Sequence, residues 1–109
     1  MQAMRKPASV GDVLLYEYLI PTGMKINELS ELLGVHRNTI SALVNNNRKL
    51  SIDMAFKLAK AFNTSKDYWL NLQQAVDIWE VRSDPRLQAE INNVIFYKDF
   101  LNEKAKEIA

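Results

Sequence analysis

The chain has no cysteine, which rules out disulfides and thiolate metal sites and is compatible with an expected cytoplasmic location. Glycine and proline number three each, leaving little room for long loops or a β-sandwich. No run approaches the ~18 apolar residues of a membrane-spanning helix, and the start, MQAMRKPASVGDVLL, has no hydrophobic signal core, so no membrane association is expected. With one histidine, His36, and scattered carboxylates, neither a metal site nor a histidine-based triad is assembled. Phosphate-cradling glycine motifs are also missing, so nucleotide binding is not expected. The expectation is a protein with no catalytic residues, no metal and no cofactor.

What the chain does have is apolar residues at helical spacing. At 109 residues and 48% apolar it suits one core, and the periodic stretches predict an all-α protein. Residues 25 to 47, KINELSELLGVHRNTISALVNNN, are the most informative. Leu29, Leu32 and Leu33 share a helical face, Gly34 breaks the run, and Ile40, Leu43 and Val44 resume it. Two short amphipathic helices joined by a glycine turn make a helix-turn-helix. An ordinary αα-hairpin with a solvated polar face has the same spacing. The second helix carries Arg37, Asn38, Thr39, Ser41, Ala42 and Asn45 off its apolar stripe, residue types that read base edges and hold phosphates.

Net charge is only +1, but it is unevenly spread. Between Lys25 and Lys66 seven basic residues face three acidic ones, a local +4, which suits a phosphate-binding face. From residue 81 on the balance is five against five.

The remaining helices can be placed in outline. After a loose basic lead over residues 1 to 8, Ser9 caps a first helix, with Asp12 completing a weak capping box. Val13, Leu14, Tyr16, Leu19 and Ile20 supply its expected buried face, and Pro21 and Gly23 end it. After the helix-turn-helix comes a polar exit loop, Asn45 to Lys49, where asparagine best tolerates positive φ. A fourth helix starts at Ser51 or Asp53 and buries Ala55, Leu58, Ala59 and Phe62. A fifth, capped by Thr64 or Ser65, faces the core with Tyr68, Trp69, Leu72, Ala75, Val76 and Trp79. The expected architecture is a five-helix repressor-like domain over residues 1–80 and an additional C-terminal helix over 81–109. That tail starts at Ser83-Asp84-Pro85, a polar cap followed by proline. Leu87, Ile91, Val94, Leu101, Ala105 and Ile108 then follow a heptad, with Lys98 at the missing position and Phe96 and Phe100 beside it. So apolar a helix needs cover, either from its own domain or from another chain. Trp79, Leu87, Ile91, Val94, Phe96, Phe100 and Leu101 are therefore its candidate dimer or partner interface.

With these residues in place, positions 9 to 80 resemble the phage-repressor-like (XRE/Cro) helix-turn-helix family. The stretch MAFKLAKAFNTSKDYWLNLQQAVDIW narrows the resemblance to the antitoxins called HigA or VapI. Its A-x-x-L-A-x-x-F at Ala55 to Phe62 and T-S-x-x-x-W-L-N-L-Q at Thr64 to Gln73 are typical of that branch. Ser9 to Leu14 resembles its P-G-E-x-L opening, with Ser9-Val10 in place of the usual His-Pro. The resemblance implies an antitoxin of a type II toxin–antitoxin pair. Such a protein binds and silences a HigB/RelE-like toxin that cleaves mRNA on the ribosome, and represses its own operon as a homodimer on double-stranded operator DNA.

Carried over, the base-reading positions fall on Arg37, Asn38, Ser41 and Ala42. Phosphate-holding positions fall on His36, Thr39 and Asn45, with Arg48 and Lys49 beyond. At the start of the first helix of the pair the family's Thr-Gln is Lys25-Ile26 here, so a phosphate contact passes to Lys25 or Asn27. Asn46 replaces the common glycine. A stand-alone transcription regulator with the same DNA surface and no toxin is the main alternative. A protein-interaction module that has lost DNA binding is a third.

Overall fold

The computed structural model describes residues 5–108, so the first four residues of the basic lead and Ala109 lie outside the described residues. Among the described residues the chain is all-helical. Three consecutive segments, Val10–Val13, Leu14–Leu19 and Ile20–Thr22, form α1; α2 (Ile26–Leu33), α3 (Arg37–Val44), α4 (Ile52–Phe62) and α5 (Lys66–Arg82) follow. Two more, α6 (Pro85–Asn92) and α7 (Tyr97–Ile108), complete the chain. It divides into two units, one up to Trp79 and one from Glu80 on.

The first unit holds the core. Val10, Leu14, Leu29, Ile40, Leu43, Ala55, Leu58 and Trp69 are among its buried residues. Trp69 is fully buried, its ring 5.3 Å from Tyr18, 6.2 Å from Phe62 and 5.1 Å from Tyr68 between ring centroids. Its indole N–H donates to Thr64 Oγ1 at 2.7 Å, so its polar atom is satisfied as well.

The buried face of α1 differs from the expected one. Tyr16 and Ile20 are exposed, at 64% and 59%. The middle segment, Leu14–Leu19, is a π-helix, and such a turn takes one more residue than an α-turn. Leu14 and Leu19, five apart, then share a buried face, and Tyr16 and Ile20 rotate out. Pro21 accounts for the widening: it has no N–H to give and its ring collides with the carbonyl four residues back. On α5 only Trp69 and Val76 of the expected face are buried; Tyr68 and Ala75 are exposed.

Four helices end alike, with a left-handed residue closing the last turn. These residues are Gly23 (φ 69°), Gly34 (φ 68°), Asn46 (φ 61°) and Asn63 (φ 54°). The amide one residue later reaches back five positions in each case: Met24 to Leu19, Val35 to Ser30, Asn47 to Ala42 and Thr64 to Ala59, at 2.8–3.1 Å. Gly11 plays a different part. A Cβ built there would lie 2.2 Å from the Leu43 carbonyl oxygen, so the first turn of α1 meets the last turn of α3 at a distance only glycine permits.

The second unit follows the five-helix domain as an additional helical segment, but in two pieces. The heptad pattern runs straight through Asn92, Asn93, Val94 and Ile95, whereas α6 stops at Asn92 and α7 starts at Tyr97. Adjacent asparagines compete for backbone hydrogen bonds, and the β-branched pair after them favours extended backbone. Asp84 caps α6 as expected, its carboxylate accepting from the Arg86 and Leu87 amides at 2.9 and 3.2 Å. No residue of α6 or α7 is buried.

Candidate nucleic-acid interface

The helix-turn-helix is α2, the turn Gly34-Val35-His36, and α3. Leu29, Leu33, Ile40, Leu43 and Val44 bury the inner faces of the pair. What remains outside is the candidate surface for nucleic acid.

His36 is the N-cap of α3. Its Nδ1 accepts from the Asn38 amide at 3.0 Å, which leaves Nε2 to carry the ring proton and face solvent as a donor. Arg37 and Asn38 occupy the exposed first turn. Thr39 in the same turn, and Ser41 and Ala42 one turn on, are half-buried. Asn45, at the C-terminal cap, is exposed and donates to Ser41 Oγ at 3.3 Å. Arg37 and Arg48 are exposed, and among the described residues neither takes part in an ion pair. Arginine at such a helix start has the fork that matches guanine, and the asparagine amide matches adenine.

Lys25 is the N-cap of α2, and both Lys25 and Asn27 are exposed. Glu28 Oε1 accepts from the Lys25 amide at 3.1 Å, one half of a capping box. The other half cannot form, since an ammonium has no acceptor. The lysine head is therefore available to an anion at a helix N-terminus.

Lys49 sits in a network that the sequence did not reveal. Its Nζ lies 2.9 Å from Asp77 Oδ1 on α5, and Gln73 Nε2 donates to the same oxygen at 3.0 Å. Gln73 Oε1 in turn accepts from the Leu50 amide at 2.9 Å. Gln73 thus fastens the end of the exit loop to α5. The Lys49 hydrogen bond, helped by Gln73 and opposed by slight burial, holds the Asp77 carboxyl below its ordinary value of 3.8. A carboxyl depressed on folding adds stability above its unfolded pKa and loses that contribution as pH falls through the folded value. Asp77→Asn is therefore expected to lower stability by less than about 1 kcal/mol at neutral pH, since both side chains are wet. The gap from wild type closes as pH drops below about 4. Urea unfolding at pH 7 and pH 3 checks this; a gap of equal size at both would refute the ion pair's part in stability.

The expected partner residues of the tail fall in two groups. Trp79 is half-buried, with the Lys6 ammonium 5.6 Å from its ring centroid. Leu87 is half-buried as well, whereas Ile91, Val94, Phe96, Phe100 and Leu101 are exposed, at 42–75%. Among the described residues no cluster of His, Asp or Glu is placed to hold a metal, and no helix is long and apolar enough to cross a membrane.

Comparison with known proteins agrees with this geometry. Residues 15–69 match the family described as Helix-turn-helix. A transcriptional regulator of the helix-turn-helix type from Escherichia coli K12, YbaQ, is 57% identical over 99% of this chain and 98% of its own. Antitoxin HigA-1 of Vibrio cholerae is 41% identical over 84% of this chain and 87% of its own. The structure of the Pseudomonas aeruginosa antitoxin HigA with the higBA promoter superimposes with a TM-score of 0.75 at 27% identity, covering 84% of this chain and 97% of that one. The chain belongs to the XRE-like helix-turn-helix family of DNA-binding proteins, in the branch that holds the HigA antitoxins.

Proposed function

We propose that this chain is a transcriptional repressor and antitoxin: it binds its own operator as a two-fold dimer and silences a HigB/RelE-like ribonuclease toxin by binding it. The observation that carries the DNA half is the capped first turn of α3, where Arg37 and Asn38 project from a rigid helix beside a ring N–H on His36. Ser41 and Ala42 complete the base-facing strip; Lys25, Asn27, His36, Thr39, Asn45 and Arg48 hold phosphates around it. Lys49 joins them at the expense of its ion pair with Asp77. A two-fold dimer places its recognition helices roughly 34 Å apart, one turn of duplex. The antitoxin half is supported by the likeness to HigA-1 of Vibrio cholerae. The chain does no chemistry in this reading and acts in the cytoplasm, where operator and toxin are found.

A stand-alone regulator without a toxin is the second reading, favoured by the high identity to the Escherichia coli transcriptional regulator. One experiment separates the two. The chain is coexpressed with the protein encoded beside it, and the purified product is titrated against a duplex of its own upstream region over a range of salt. The proposal expects a stable complex, rescue of growth, and an affinity that falls steeply with salt. Tight, salt-sensitive DNA binding without a complex would leave the regulator alone. Affinity indifferent to salt would remove the DNA half.

A further inference from the structure

The exit from the recognition helix passes through Asn46, a non-glycine residue in the left-handed region. A glycine would satisfy the left-handed backbone (φ 61°) at no steric cost, so the conformation alone does not call for asparagine. The side chain supplies something else. Asn46 Nδ2 donates to Asp12 Oδ1 at 3.0 Å, across 34 positions of sequence. Asp12 lies in the first turn of α1, whose own cap is set by the Asp12 amide donating to Ser9 Oγ at 3.0 Å. Beside it Gly11 admits the carbonyls of Leu43 and Val44 at the end of α3. The positive end of one helix dipole thus meets the negative end of another, which is favourable. The Asp12–Asn46 bond sits on the outer side of this junction and ties α1 to the residue from which the exit loop departs.

Resting on the DNA-binding reading above, we propose that Asp12 and Asn46 form a clamp that positions the exit loop of the recognition helix for its phosphate contacts. Neither side chain has to touch DNA. Asn45 and Arg48 flank Asn46 at one and two residues' distance, so the direction in which Asn46 leaves the helix sets where both reach. The Asn47 amide, bonded to the Ala42 carbonyl at 2.8 Å, fixes the turn itself. The Asp12 bond fixes the turn against the rest of the domain. Preorganised contacts of this kind strengthen binding by removing the ordering that DNA would otherwise impose.

Stability and affinity should part company when the clamp is altered. Asn46→Gly keeps the left-handed backbone and loses only the bond; its melting temperature is expected to match or exceed wild type. Its affinity for a duplex of the chain's own upstream region should fall about fivefold, in the range of one hydrogen bond. Asp12→Ala should lose affinity similarly, and the double variant no more than either alone. Asp12→Asn retains an acceptor oxygen and should bind within about twofold of wild type, although loss of a charge at a helix N-terminus costs some stability. In the absence of DNA, exchange of the Asn47 amide should quicken in Asn46→Gly and in Asp12→Ala. Wild-type affinity in Asn46→Gly, or losses in the two single variants that add in the double, would overturn the clamp. Failure of the wild-type chain to bind the duplex, with the amide effects present, would instead overturn the DNA-binding reading and this role with it.

Discussion

Trp69→Ala is expected to cost about 3–5 kcal/mol, the usual range for a buried tryptophan reduced to a methyl group. The total stability of a domain is only about 5–15 kcal/mol, so this variant should be barely folded. Trp69 is fully shielded from solvent and packs among Tyr18, Phe62 and Tyr68, and the cavity it would leave is bounded by helices that cannot close in without breaking their caps. Its N–H also anchors Thr64 at the start of α5. Trp69→Phe separates these two effects, since it restores most of the ring volume but not the donor, and should recover more than half of the loss. Urea unfolding followed by tyrosine fluorescence checks both variants. A midpoint for Trp69→Ala close to wild type would show that the aromatic cluster does not organise this core.

Arg37→Ala tests the opposite kind of residue, an exposed one to which the proposed function gives a part in recognition and none in folding. The side chain is exposed, so the melting temperature should not move. Loss of a bidentate base contact should cost about 1–3 kcal/mol, roughly five- to 150-fold in affinity for the upstream duplex. Preference at one base position should relax, and affinity for random duplex of the same length should fall less, because non-specific binding loses only one positive charge of several. Competition binding with a set of singly substituted duplexes measures this. If the variant discriminates among them as wild type does, Arg37 is not a base reader and the recognition surface lies elsewhere on α3.

The parts of this molecule legible in the sequence are those that rest on local rules. Gly34 between two apolar stripes marked the turn of the helix-turn-helix, Ser9 and Asp84 marked helix starts, and the asparagine run marked an exit with positive φ. What escaped depends on more than spacing. The π-turn in α1 follows from Pro21 acting on the helix before it, and periodicity assumes a constant pitch. A second left-handed asparagine, Asn63, gave no signal apart from its place after Phe62. Gln73 was visible only as the last residue of a motif and Asp77 gave no signal, yet they reach 23 and 28 residues back to Leu50 and Lys49. The motif Thr64 to Gln73 was visible as a resemblance; the structure supplies reasons for its residues, since Thr64 receives the Trp69 N–H, Ser65 Oγ receives the Tyr68 amide, and Gln73 holds the loop. Gly11 was part of a recognised opening, but only the contact with α3 shows why a side chain is excluded there.

The break in the tail has a thermodynamic consequence. Every buried residue of the described chain belongs to the unit ending at Trp79, and two helices of eight and twelve residues with no buried side chain lack the cohesion to melt cooperatively by themselves. The chain is then not a two-state system in the calorimetric sense. Its first unit has an unfolding free energy that is a property of the sequence. The order of α6 and α7 depends on what covers Ile91, Phe96 and Phe100; if a second chain does so, that order will vary with concentration by mass action. A single melting temperature describes the first unit only.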